Sequence, residues 1–574
     1  MSEFVVPREY QREHYEKLDY ILNDCNFYID KSKPGAGKTY PPIYFAQKYN
    51  VPLYVICPVT VEDTWSRAKK KYKFDLIEII SYASIRSVKN RQPKHGLLDR
   101  FDNTTDGGIE NVEFKATEKL ENLIESGVFF VFDECHNLKN RTAQWKACKE
   151  IAQLAISSKK SKAFLLSGTL FDKPEHAKQF LEFIGIIKSH YMYRSLNNNL
   201  IFEGFGISEL IDYGNRCDGE KTQYYLQKHK FKFLNTKNIE KFIENFTYDM
   251  FIEVFCKKFS SVIPEDNLKN RDLKDCTLTK TVTENANIPS DLSNVVSNYI
   301  YIPEDKKNGY YNTDPETEEK ISKAIGKLAK SVAYVDGAIT ENRINFGSVT
   351  LCLKELEFLK TDIFIRVARE ILEANYKNKV ILFFNYNDSI KKANIDLQNY
   401  NPLILTGATR KRGELIHKFN NESNSRLLIG NIKVGGTGIE LDDKIGNNPR
   451  HLFISPSYFM IDMHQATLRI FRENTKSKAF TRFVYTNILL GTTLLRESKI
   501  LEALARKSKV LKSIQYESTD YKYPGDYEDE YEGVSTELSN VLNTLARKKY
   551  EDVEVIKTSK KKNKESKTTE EKEI

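Results

Sequence analysis

The sequence predicts an α/β protein built from two parallel sheets, with a mainly helical insertion between them, and three observations carry that expectation. Short apolar runs of strand length alternate with helical lengths in two blocks, residues 1–189 and 346–511. Between 190 and 345 the alternation stops, and helical patterns such as Lys237 to Lys258 and Glu316 to Ala333 are broken by Asn-, Lys- and Asp-rich stretches. Near the N-terminus a glycine turn joins an apolar run to a helix, the order that a phosphate-binding loop requires.

That turn, Ser32-Lys33-Pro34-Gly35-Ala36-Gly37-Lys38-Thr39, follows Phe27-Tyr28-Ile29 and leads into Ile43-Tyr44-Phe45-Ala46. Gly35 and Gly37 lack a Cβ, so backbone N–H groups there can close on phosphate oxygens, aided by the positive end of the helix. Lys38 is placed to reach β- and γ-phosphates and the Thr39 hydroxyl to ligate Mg²⁺. Pro41 and Pro42 fall in the first helical turn, where a missing N–H costs little. Upstream, Pro7 to Leu18 reads as an amphipathic helix whose Gln11 carries both a donor and an acceptor for an adenine edge; a plain surface residue is the alternative.

Downstream, Pro52 to Pro58 and Ile77 to Tyr82 read as strands, and 88–117, with Gly107-Gly108 and many charges, as an inserted surface loop. Val128-Phe129-Phe130-Val131-Phe132 reads as a strand buried on both faces that runs into Asp133-Glu134-Cys135-His136. Ligands of α/β sheets bind at the carboxyl ends of strands, so Asp133 is placed to hold Mg²⁺ and Glu134 to polarise an attacking water. Ala163 to Leu166 is a further strand ending in Ser167-Gly168-Thr169, hydroxyls suited to couple the carboxylates to what lies across a cleft. In the second block, Lys379 to Phe384, Pro402 to Gly407, Arg426 to Gly430 and His451 to Pro456 read as strands. A loop there holds Gly435-Gly436-Thr437-Gly438-Ile439-Glu440. On one helix Gln465, Arg469 and Arg472 stand at i, i+4 and i+7, giving one face an amide and two guanidiniums that could stabilise phosphate charge; on spacing alone the plainer reading is a solvated basic face. The extension 512–574 is polar, and Lys557 to Ile574 is too poor in apolar residues to fold.

At 574 residues, 40% hydrophobic and 29% charged, the chain has the composition of a soluble protein of several domains. It has no apolar run long enough to cross a membrane and no signal core, so a cytoplasmic setting, or a particle assembled there, is expected. Its eight cysteines form no Cys-x-x-Cys pair, which argues against zinc and redox sites. A net charge of +9 fits a nucleic-acid partner only weakly.

Taken in order, these segments resemble the motifs of superfamily 2 helicase-type ATPases, specifically the Swi/Snf-like branch. Tyr10-Gln11 resembles the adenine-reading element, Pro34 to Thr39 motif I, Cys57-Pro58 with Trp65 motif Ia, and Asp133 to His136 motif II. Ser167 to Thr169 resembles motif III, Gly435 to Gly438 motif V, Gln465 with Arg469 and Arg472 motif VI, and Asn287-Ile288-Pro289 with Asn298 to Pro303 the link between lobes. The Asp-Glu-Cys-His spelling is also similar to nucleic-acid-dependent ATPases of poxviruses and other large cytoplasmic DNA viruses, nucleoside triphosphate phosphohydrolase I and the early transcription factor ATPase. Departures fall at Ser32, at Leu468, and at Thr277-Leu278-Thr279, and none removes a residue that touches phosphate in the family.

The resemblance implies two RecA-like lobes with ATP and Mg²⁺ between them and nucleic acid, DNA rather than RNA, across both. Gln11, Pro34, Gly35, Ala36, Gly37, Lys38, Thr39, Gly436, Thr437 and Gly438 would bind the nucleotide; Thr39 and Asp133 the metal; Glu134, Asp133, Gln465, Arg469 and Arg472 would act in hydrolysis. The implied activity is DNA translocation in viral transcription, in a cytoplasmic factory or virion, beside a viral RNA polymerase or transcription-factor subunit and without a membrane partner. An unwinding helicase, or a scaffold that keeps the ATPase fold, is the alternative.

Overall fold

The computed structural model describes residues 3–32, 35–104, 110–263, 298–300, 316, 319–320, 323–324, 346–436, 438–455, 457, 459–467, 469–470, 475–477, 479–484, 487–490, 493–496 and 514. Two parallel six-stranded sheets organise it, as the alternation predicted. The first uses β1 (Phe27–Asp30), β2 (Leu53–Cys57), β3 (Leu76–Ser81), β4 (Phe129–Asp133), β5 (Lys162–Leu166) and β6 (Ser260–Ser261), in the spatial order β6-β1-β5-β4-β2-β3. The second uses β7 (Asn298–Ile300), β8 (Lys379–Phe384), β9 (Leu403–Leu405), β10 (Leu427–Asn431), β11 (Arg450–Ile454) and β12 (Ala479–Val484), in the order β7-β12-β11-β8-β10-β9.

Continuous apolar runs form the central strands because helices cover both faces. Along β4, Phe130 and Phe132 enter one core with Tyr54, Ile56 and Leu165, while Phe129 and Val131 enter the other with Val55, Phe164 and Leu166. The second sheet repeats the pattern: Ile381 and Phe383 pack on one side, Val380, Leu382 and Phe384 on the other. In the first sheet Asp30 and Asp133 are both level with Leu166. The loops that follow β1, β4 and β5 therefore leave the sheet at one height, side by side.

Several expectations change. The stretch 88–117 is no mere surface loop, because Leu98–Thr104 pairs antiparallel with Glu110–Ala116, and Leu97, Leu98 and Phe114 are buried in the first lobe's core. Period-two alternation of Val112 and Phe114 with Glu113 and Lys115 was the signal for it. Much of the stretch expected as an insertion also packs with the first lobe: helix Gly206–Lys228 contributes Ile207 and Leu210, helix Ile239–Met250 contributes Phe242 and Phe246, and Ser260–Ser261 supplies the edge strand. The segment Asn298–Ile300, read as an inter-lobe link, is a strand of the second sheet. Glu316 to Ala333 and residues 557–574 lie almost wholly or wholly outside the described residues. Of the C-terminal extension only Ile514 is described; it is buried in the first lobe's core, and its carbonyl accepts from Lys31 Nζ at 2.8 Å.

Phe130 is fully buried and stacks obliquely on Tyr54, with centroids 5.6 Å apart. Phe130→Ala is expected to destabilise the first lobe by about 3–5 kcal/mol, read as a lower urea midpoint for its transition.

Candidate active site

The glycine turn after β1 is held from three sides. Gly35 and Gly37 have φ of 85° and 97°, conformations that glycine adopts without penalty. Gln11 is buried against the turn: its Nε2 donates to the Ala36 carbonyl at 3.2 Å, and its Oε1 accepts from Arg8 N at 3.2 Å. A Cβ at Gly37 would lie 3.1 Å from that Nε2. Gln11 therefore also ties the phosphate loop to the N-terminal segment.

Ser32, where the motif commonly has glycine, makes three bonds. Its N–H donates to Asp30 Oδ1 at 3.0 Å, its Oγ accepts from Ile263 N at 3.0 Å, and its carbonyl accepts from Lys38 Nζ at 2.8 Å. The hydroxyl thus joins the loop to the chain just beyond β6. Behind it, His14 Nε2 lies 3.2 Å from Asp30 Oδ2, and His14 Nδ1 lies 2.8 Å from Ser261 Oγ, all of them buried. Thr39 directly precedes helix Tyr40–Tyr49, which begins with both prolines in its first turn.

Asp133 and Glu134 leave β4 in the cleft. Asp133 accepts the Trp65 indole N–H at Oδ2 (2.9 Å) and the Glu134 N–H at Oδ1 (2.9 Å). Burial first, and the Glu134 charge second, push its carboxyl up to about 6. Burial also opposes ionisation of Glu134, but the hydrogen bond and charge of His136, then Lys38 and Arg469, outweigh it and hold that carboxyl below the usual range. Glu134 adopts φ 52°, ψ 49°, a left-handed conformation that costs a non-glycine residue about 1 kcal/mol or more. Its Oε2 meets His136 Nδ1 at 3.2 Å, and that nitrogen also lies 3.1 Å from Ser167 Oγ. Thr169 N donates to the same hydroxyl at 3.2 Å. Ser167-Gly168-Thr169 therefore reaches the carboxylate through His136, a residue that motif reading had not singled out for a role.

The second lobe closes on this edge. Gln465, fully buried on helix Met460–Thr467, donates from Nε2 to Glu134 Oε2 at 3.2 Å, while its Oε1 has no hydrogen-bond partner among the described residues. The single helix expected to carry Gln465, Arg469 and Arg472 ends earlier, at Thr467. Arg469 stands beyond its end: its N–H reaches back to Ala466 O, and its carbonyl accepts from Leu441 N. Its buried guanidinium donates to Gly436 O (3.0 Å from Nε) and Ile439 O (3.4 Å). Pro34, Thr437 and Arg472 lie outside the described residues. Gly436 packs inside the second lobe, where a Cβ would come 2.9 Å from the Asp462 and Ile432 carbonyls.

A cleft of about 430 Å³ lies between the lobes, lined among others by Gln11, Gly35, Ala36, Gly37, Lys38, Thr39, Asp133, Glu134, Gly438 and Arg469. These residues fit a nucleoside triphosphate and its metal. Glycines bring N–H groups and Lys38 to one wall, and Thr39 and Asp133 are the hard oxygen donors that Mg²⁺ prefers. No disulfide joins the described cysteines, and no described helix is long and apolar enough to cross a membrane.

Removing the Gln11 amide leaves the Ala36 carbonyl and Arg8 N–H without it. Gln11→Ala is expected to cost about 1–3 kcal/mol and to speed amide exchange across residues 35–38, measured by hydrogen–deuterium exchange.

No family model matches the chain. Over 523 residues it is 21% identical to a predicted ATP-dependent RNA helicase of Acanthamoeba polyphaga mimivirus, a match covering 87% of this chain and 81% of that protein. The SWI2/SNF2 ATPase core of Sulfolobus solfataricus, solved with double-stranded DNA, aligns over 90% of this chain and 98% of its own, at 16% identity and a TM-score of 0.29. The Hef helicase domain of Pyrococcus furiosus aligns over 85% and 96%, at 14% identity and a TM-score of 0.32. With its motifs in the family's order, its two parallel sheets and its likeness to the mimivirus protein, the chain is similar to the superfamily 2 helicase-type ATPases of the Swi/Snf-like branch.

Proposed function

We propose that this chain is a nucleic-acid-dependent ATPase that translocates on DNA, serving viral transcription in a cytoplasmic factory or virion. The observation that carries the ATPase reading is the meeting of Gln465 from one lobe with Glu134 from the other, at the edge of a cleft that also holds the phosphate loop. Groups separated by 331 positions in the chain converge there on one carboxylate oxygen. A scaffold without turnover would not need that convergence.

In this reading the backbone N–H groups of Gly35 to Lys38 bind phosphate oxygens, and Lys38 exchanges the Ser32 carbonyl for the phosphates. Thr39 and Asp133 hold Mg²⁺, which when bound offsets phosphate charge. Glu134, held ionised, orients and polarises the attacking water, and the Gln465 Oε1 is an acceptor for the same water. Arg469 gives up its contacts with Gly436 and Ile439 to face the developing charge, and Arg472 acts beside it. Lobe opening and closing through the cycle then moves the protein along phosphates, so binding falls steeply with salt and depends little on sequence. The resemblance of the motifs to the Swi/Snf-like branch supports a DNA track. A second reading, an RNA track with strand separation, is favoured by the name of the mimivirus relative.

Steady-state ATP hydrolysis of the full chain without polymer, and with single-stranded DNA, duplex DNA or RNA, decides between these readings. Stimulation by DNA is expected, and stimulation by RNA alone would replace the DNA track. Hydrolysis that persists in Lys38→Ala would exclude this cleft as its source. Glu134→Gln is expected to lower kcat by two orders of magnitude or about that, with nucleotide affinity retained in equilibrium binding. Arg469→Ala should follow it, and loss of ATP binding instead of turnover would remove Arg469 from the transition state.

A further inference from the structure

Gly438 differs from the neighbouring glycines in what its missing side chain leaves room for. A Cβ on Gly435 or Gly436 would strike the second lobe's own atoms, Phe383 and the Asp462 and Ile432 carbonyls. A Cβ on Gly438 would strike the first lobe, 2.5 Å from the Thr60 carbonyl oxygen, 2.8 Å from its carbonyl carbon and 3.1 Å from its Oγ1. Two of these three are main-chain atoms, which cannot rotate aside as a side-chain tip can. They belong to the short turn Val59–Val61 between β2 and helix Glu62–Lys71, the helix whose Trp65 holds Asp133. On the other side of the contact, two residues before Gly438, the Gly436 carbonyl holds Arg469.

We propose that Gly438 is a positioning residue: its bare backbone seats on the Thr60 carbonyl and sets the separation at which Gln465 meets Glu134 and Arg469 lines the cleft. The proposal rests on reading the cleft as an ATPase site. Real Cβ contacts essentially never fall under 3.0 Å, so any side chain at 438 forces the lobes apart there by about 0.5 Å or distorts the loop. The Gln465–Glu134 bond, at 3.2 Å, is then stretched past hydrogen-bonding range. The phosphate loop, which lies wholly in the first lobe, is untouched. Gly438 itself lines the cleft, so nucleotide binding shifts a little, but the larger effect falls on turnover.

Two variants of the full chain separate obstruction from backbone strain. Gly446, in the same lobe, has a φ of +104° against +68° for Gly438, yet its Cβ would meet nothing nearer than Lys476 side-chain atoms at 3.8 Å. Gly446→Ala therefore carries the conformational cost alone. Gly446→Ala is expected to hydrolyse ATP like the unsubstituted protein, whereas Gly438→Ala loses about 10–100-fold in kcat with Kd for a non-hydrolysable ATP analogue within about threefold.

Closure is read independently of hydrolysis by disulfide formation in an Asp63→Cys/Gly413→Cys background, with Asp63→Cys alone as the blank. A Cβ on Gly413 would lie 3.6 Å from Asp63 Oδ2 across the lobes. The pair should cross-link readily with the analogue bound, equally well with Gly446→Ala, and more slowly with Gly438→Ala. Equal cross-linking in all three, or equal kcat in the two alanine variants, overturns the proposal. If Gly438→Ala does not fold, failure of the pair to cross-link in the otherwise unsubstituted chain overturns the proposal, since the lobes then do not meet as it requires. Slower cross-linking with Gly438→Ala in a chain that hydrolyses no ATP would refute the ATPase reading and leave the closure role standing.

Discussion

Two adjacent carboxylates at the buried end of a strand are the constraint around which this molecule is arranged. Asp133 and Glu134 cannot both carry charge in such a place without compensation, and the structure supplies it from every direction. Trp65 donates from the neighbouring helix, His136 from the following turn, and Gln465 from the other lobe, with Lys38 and Arg469 adding positive charge. The left-handed backbone of Glu134 is a cost accepted so that the second carboxylate turns toward those partners.

The sheets make this possible by stiffness and register. Parallel strands buried on both faces allow little slippage, because a one-residue shift would turn every side chain to the wrong core. Asp30, Leu166 and Asp133 are thereby held at one level, and the three loops beyond them form a continuous rim. Ser32 shows how local chemistry adapts to that rim. A glycine there would serve the turn, but the serine hydroxyl also binds the chain leaving β6, so the phosphate loop and the exit from the first lobe share a hydrogen bond.

Charge and hydrogen bonding also link the lobes to one another. Gln465 and Arg469 come from one helix end, yet they do different things: one reaches across to Glu134, and the other is tied to the Gly436 and Ile439 carbonyls of its own lobe. A basic helix face would treat them alike. The helix runs to Thr467, and the Arg469 N–H turns back to Ala466 O, an i→i−3 bond of the kind that closes a last turn.

Most strands were legible because burial on both faces writes itself as an apolar run: Lys379 to Phe384 matched residue for residue, and β1, β2, β4 and β5 within one or two. The phosphate loop and the acidic pair were legible because glycines, a lysine and carboxylates after such runs have few other uses. Ser260–Ser261 was not, since two serines at a sheet edge carry no hydrophobic signal and are placed only by pairing with β1. Neither was the tie that Gln11 makes to the Ala36 carbonyl, since nothing in the local sequence marks that contact. By itself, then, the sequence determined the two sheets and the residues able to do phosphate chemistry, because both are local properties of short segments. Only the tertiary structure decided which of those residues face one another, as Glu134 faces Gln465 and Gly438 faces Thr60, because contacts across hundreds of positions leave no periodic trace in the chain.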